Sequence, residues 1–209
     1  MSGGASRARQ GDLFGGGDGA ASADAAAPLP PPLLRDQLLA WQERLAAHQA
    51  PRFRPGVSGP AADQGQLFAS GLPAGPAAAA AALDPLSLEA QSLSFWRWPA
   101  APHQGAAVYL VLDRPPRLAG PLLLYVGETG RADRRWKGDH DCKGYLAAYS
   151  EALRKAGLEP RLSIRFWCDG PSDLRQRRQL EQALIRLWLP PFNKETRGRW
   201  ATPFTADLA

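Results

Sequence analysis

The chain has 209 residues, enough for one domain of ordinary size together with a stretch that need not fold. Basic residues outnumber acids 25 to 20, and the surplus is lopsided: from Gly105 onward there are 18 against 12, while the leading half carries 7 against 8. The C-terminal half therefore suits an anionic partner. Its two cysteines, Cys142 and Cys168, form no CxxC or Cys/His cluster, which excludes a zinc site and points to a reduced, intracellular setting. No segment has the apolar core of a signal peptide, and the Ala77–Ala82 tract is too short and weakly apolar to span a membrane. The protein reads as soluble and cytoplasmic.

Residues 1–32 are rich in Gly, Ala, Ser and Pro, cannot bury enough surface to offset their ordering entropy, and are expected to be disordered. Leu33 to Ala47 differs. Leu34, Leu38, Trp41 and Leu45 recur at helical spacing, which predicts a short amphipathic helix within 33–50, packed on the following domain or binding a partner. Residues 51–84 return to Pro, Gly, Ala and Gln and read as a linker. Globular character begins near residue 85 and continues to 209.

Asp84-Pro85 reads as an N-cap followed by proline at the first helical position, predicting a helix over Leu86–Leu93. The SFWRWP segment that follows reads as a packed aromatic edge or a base-stacking surface. Ala107–Asp113 predicts a strand, Arg114–Gly120 a proline-broken loop, and Pro121–Gly127 the hairpin partner. Beyond the glycine, Arg131, Arg134, Arg135 and Lys137 predict a basic helix with its arginines on one face. Gly144–Ala156 reads as a helix, Arg161–Cys168 as a third strand by its period of two, and Asp173–Leu189 as a helix with Leu180, Leu184, Leu187 and Trp188 inward. The expected class is α+β: a small mixed or antiparallel three-stranded sheet flanked by helices.

Five short matches now fall in one order on these elements. VYL (Val108–Leu110) and YVG (Tyr125–Gly127) lie on the paired strands, and Arg135-Trp136 comes eight residues after the YVG glycine. Glu181 sits in LEQALI, and Asn193 ends PPFN. This arrangement resembles the GIY-YIG nuclease family over about Ala106–Asn193. In two respects it departs from the family pattern. The first triplet keeps only its tyrosine, and His140 lies five residues after Arg135, with Asp139 at the four-residue position.

The resemblance implies hydrolysis of DNA phosphodiester bonds, in repair or replication, with one Mg²⁺ or Mn²⁺. Glu181 would supply a carboxylate oxygen to the metal, which keeps several waters and needs few protein ligands. Arg135 would hold the charge that develops on phosphorus. Tyr109 by family pattern, or Tyr125, would help deprotonate the attacking water, and His140 would join the active site. Asn193 would position a loop or a phosphate oxygen. Arg131, Arg134, Lys137, Arg165, Lys194 and Arg197 would track the nucleic-acid backbone, joined by Arg161 and Arg199. Duller roles also fit these residues. Arg177 and Arg178, one helical turn earlier, could simply pair with Glu181, and tyrosines are common in strand cores. A non-catalytic nucleic-acid-binding module of the same fold is the alternative, and an RNA-directed role also fits a basic face.

The leading half carries a signal of its own. Gln10-Gly-Asp-Leu-Phe14 and Gln64-Gly-Gln-Leu-Phe68 are near copies of one pentapeptide. They resemble the peptides by which bacterial proteins dock on the replicative sliding clamp, with Leu13, Phe14, Leu67 and Phe68 as apolar anchors and Gln10 and Gln64 as polar positioners. Such docking implies a nucleoid-associated location within the cytoplasm.

Overall fold

In the computed structural model, which describes residues 35–53, 75–94, 103–135 and 141–201, the strand Ala107–Asp113 (β1) is buried along its whole length. Burial on both faces explains its nearly unbroken apolar sequence. Its neighbours are Leu122–Thr129 (β2) and Leu162–Trp167 (β3), giving an antiparallel sheet in the order β2-β1-β3. Alternation along β1 divides the core in two. Tyr109 and Val111 pack with Arg35–Gln49 (α1) and Asp141–Lys155 (α3), through Leu38, Trp41 and Leu45 of the first and Leu146, Tyr149 and Leu153 of the second. Val108, Leu110 and Leu112 pack with Pro76–Ala82 (α2) and Leu174–Trp188 (α4), through Ala79, Ala80, Leu180, Leu184 and Trp188. The fold is α+β, and the described residues from Arg35 onward fall within one compact unit. Among them, no helix is long and apolar enough to cross a membrane.

The two edges of the sheet are closed differently. Gln91 exchanges two backbone hydrogen bonds with Ile164 on the β3 edge, at 2.8 and 2.9 Å. On the β2 edge a side chain does the same work. Gln49, fully buried at the end of α1, accepts from the Leu123 N–H at 2.8 Å and donates to the Leu123 carbonyl at 2.9 Å. It also reaches the carbonyl of Trp188 at 3.2 Å, tying α1, β2 and α4 together. A second buried network joins the layers on the other side. Tyr149 donates to Asp113 at 2.7 Å, and Gln42 donates to the Tyr149 hydroxyl.

The amphipathic helix expected within 33–50 packs on the following domain, through Leu38, Trp41 and Leu45. Several other expectations change. Part of the expected linker, Pro76–Ala82, is helical, because proline at its first turn and six alanines need no side-chain ordering and fit closely against α4. Leu86–Leu93 is not a helix. Asp84 accepts from the Leu86 N–H at 2.9 Å, making a local turn, and the segment then pairs with the edge of β3. Arg165 is drawn into the same joint: its guanidinium donates to the carbonyls of Leu86 and Leu88, which fastens this turn to β3. Residues 1–34, 54–74, 95–102, 136–140 and 202–209 lie outside the described part, and with them the expectations for the tail and for SFWRWP.

Replacing Gln49 by alanine leaves the Leu123 amide and carbonyl without their partner in a dry environment. The expected loss of stability is about 2–4 kcal/mol, measured as a lower midpoint in urea with unchanged slope. A loss under about 0.5 kcal/mol would show that water replaces the side chain.

Candidate active site

Register places Tyr109 of β1 directly opposite Gly127 of β2. A Cβ at Gly127 would collide with Cζ and the hydroxyl of Tyr109, and would lie 2.8 Å from Cε1 of Tyr125. Glycine is needed there for close approach. The two tyrosine rings then stand 6.0 Å apart, and their hydroxyls are hydrogen-bonded to each other.

The end of β2 fixes the arginine. Thr129 Oγ1 accepts from the Arg131 N–H at 3.0 Å, and the Ala132 N–H reaches the Gly105 carbonyl at 2.8 Å. With Ala132 fully buried, the orientation of the turn is set by the core. The N–H groups of Arg134 and Arg135 both return to the Arg131 carbonyl. Through Arg135 this is a turn and not the expected helix, and the arginines do not share a face. Arg131 and Arg134 are exposed, whereas Arg135 is half-buried, with Nε donating to the Tyr109 hydroxyl at 3.1 Å.

The helix α4 brings the carboxylate. Asp173 caps it by accepting from the Gln176 N–H at 2.9 Å. Glu181, two turns in, accepts through Oε1 from the Glu128 N–H at 3.1 Å, while Oε2 has no hydrogen-bond partner among the described residues. Burial, and then the nearby Glu128 carboxylate, push the Glu181 carboxyl up to about 7. The expected ion pairs go elsewhere. Arg177 is buried and meets Glu128 at 2.8 Å, and Arg178 reaches the same carboxylate at 3.6 Å. Asn193, also buried, uses both ends of its amide on Val126, accepting at 3.0 Å and donating at 2.8 Å. It therefore positions the strand.

Tyr125, Arg135, Glu181, Asn193 and Lys194 line one polar cleft of ≈ 350 Å³, together with Tyr145. Tyr109 stands behind them, fully buried, and reaches the cleft only through Arg135 and Tyr125. Of the expected backbone-tracking residues, Lys194 lines the cleft, and Arg197 donates to the Tyr145 hydroxyl at 2.9 Å on its wall. Arg165 is engaged at the β3 joint instead. Lys137, Trp136, His140 and both pentapeptides fall outside the described residues. The sequence reading missed Tyr145 and the Arg177–Glu128 pair. The only signal for the pair was an acid directly after YVG.

The donor set fits a hard divalent cation. Among the described residues there is no group of three or more His, Cys, Asp or Glu. Glu181 instead offers one unpartnered carboxylate oxygen into a polar cleft, which suits an ion that keeps most of its water. No protein-family model matches this sequence, and no curated protein or solved structure matches it significantly.

Two outcomes follow from this geometry. Gly127→Ala should cost about 3 kcal/mol or more through overpacking, and Tyr109→Leu in the same chain should recover part of that loss. Glu181 holds its proton to about 7 when folded, against an ordinary value of 4.5, so its contribution to stability is full below 4.5 and lost as pH rises through 7. Glu181→Gln keeps the acceptor for Glu128 without the charge. It should melt above wild type near pH 8, by about 1 kcal/mol after allowing for partial exposure, and the gap should close near pH 5. Melting curves at the two pH values check this; a gap independent of pH contradicts it.

Proposed function

We propose that this chain is a divalent-metal-dependent endonuclease of the GIY-YIG type that hydrolyses DNA phosphodiester bonds in repair or replication. One observation carries the reading. Five separate segments converge so that Tyr125, Arg135 and Glu181 share a polar cleft, with Tyr109 and Asn193 as their supports. A structural ion pair or a tyrosine-rich core does not require this convergence.

The residues divide the chemistry. Arg135, fixed through Nε on Tyr109, keeps its terminal donors for a non-bridging phosphate oxygen and the charge that builds there. Glu181 Oε2 would hold the Mg²⁺ or Mn²⁺ ion, which supplies charge neutralisation at the scissile phosphate and leaving oxygen. Tyr125, whose hydroxyl bonds that of Tyr109, lines the cleft and would orient the attacking water. Burial holds both phenols well above the usual range, more than the Arg135 charge offsets at Tyr109. Both phenols therefore stay protonated near neutral pH. Lys194 would contact the flanking phosphate. The two pentapeptides support a tether to the replicative sliding clamp, which would raise the local concentration of the enzyme at its DNA and keep it on the nucleoid.

The test is cleavage of labelled plain, flapped, branched and single-stranded DNA with Mn²⁺ or Mg²⁺. Wild type should cut at least one substrate, and Arg135→Ala should lose about 10²-fold or more. Glu181→Gln should bind but not cut. The wild-type rate should rise through pH 7 as Glu181 ionises. Tight binding without cleavage of any substrate overturns the reading in favour of a binding module.

A further inference from the structure

The outward side of α4 has a charge pattern that helix stability does not explain. The helix has no acidic residue in its first turn, yet Arg175, Arg177 and Arg178 stand in its first five positions. Cations there oppose the helix dipole. Its one glutamate, Glu181, faces the cleft, so the face lacks the alternating acids that usually accompany exposed arginines. Arg177 is buried on Glu128, which accounts for one. Arg175, Arg178 and Arg186 are exposed and border one open groove of ≈ 600 Å³. Arg175 and Arg186 have no acidic partner among the described residues, and Arg178 holds Glu128 only at 3.6 Å. The groove's one acid, Asp173, is engaged as the helix cap.

Gln182 lines both this groove and the Glu181 cleft, so the two are adjacent. From Arg175 to Arg186 the helix advances about 16 Å at 1.5 Å per residue. That matches about five phosphates of one duplex strand at 3.4 Å of axial rise each.

We propose that this face of α4 is a phosphate-backbone track, on which Arg175, Arg178 and Arg186 hold the DNA whose scissile bond lies in the Glu181 cleft. The proposal rests on the nuclease reading for the identity of its partner. The guanidinium groups contact phosphates and not base edges, so they add affinity and orientation without sequence preference. The three arginines carry the register of the strand past the cleft, and Gln182 marks the point where track meets active site.

The test measures binding of a short labelled DNA duplex by fluorescence anisotropy across a salt series, with full-length protein. Wild type is compared with Arg175→Gln/Arg178→Gln/Arg186→Gln. A control, Arg44→Gln/Arg154→Gln/Lys155→Gln, removes the same charge from exposed positions on α1 and α3, across the sheet from α4. The track variant should bind roughly tenfold more weakly or worse, with a log–log salt slope shallower by about 2.7, while the control stays within about threefold of wild type. Equal weakening of both variants, or of neither, overturns the track and leaves the cleavage reading standing if wild type cuts. Selective weakening of the track variant in a protein that never cuts keeps the track and overturns the nuclease.

Discussion

The outer edge of β2 is the constraint on which the rest of this molecule depends. An edge strand presents backbone donors and acceptors that must find partners or invite another chain. Among the described residues no fourth strand pairs with it. Gln49 completes Leu123, the Phe192 N–H meets the Leu124 carbonyl at 3.1 Å, Asn193 completes Val126, and Glu181 takes the Glu128 N–H. Leu124 lies where the register with β1 shifts, next to the pair Leu112↔Leu123, which explains why its carbonyl is met separately.

This edge is also where stability and chemistry meet. Asn193 and Gln49 each bond the backbone through both ends of their amides. Glu181 closes the edge with one oxygen and leaves the other in the cleft, at the cost of a carboxyl held near half-protonation at neutral pH. Arg177 and Arg178 could have relieved that charge but are drawn to Glu128, one strand position away from the close Tyr109–Gly127 approach. The result is a carboxylate oriented by a backbone amide, an arginine oriented by a buried phenol, and open space between them. The proposed receipt of a cation and a phosphate would require ligands left unsatisfied in this way.

Much of this was legible from residue patterns. β1 reads off the sequence as Ala107–Asp113 because a doubly buried strand is continuously apolar, and α4 starts where Asp173 offers a cap. The companions of the cleft were legible through spacing, since Tyr109, Tyr125, Arg135, Glu181 and Asn193 fall in order on those elements. Local signals failed where a tertiary partner decided the outcome. Asp84-Pro85 starts a helix or a turn equally well, and only the free edge of β3 selects the turn. Arg131 to Arg135 has helical spacing, but the buried Ala132 sets the turn. The Ala77–Ala82 tract lacks a polar face and reads as a linker until α4 is there to cover it. Arg165 and Glu128 are charges whose partners, the carbonyls near Leu86 and the guanidinium of Arg177, are distant in the chain.

The central claim is that Glu181 is the cation ligand of a preformed cleft. It is tested most directly by titrating Mn²⁺ into the metal-free protein by calorimetry, near pH 6 and near pH 8, with wild type and Glu181→Gln. The account predicts one site per chain in wild type. Binding should be tighter at the higher pH, and proton release should be larger at the lower pH, where Glu181 is still protonated. The variant should show no such site. Equal Mn²⁺ binding by both proteins, or binding indifferent to pH across that range, would contradict it.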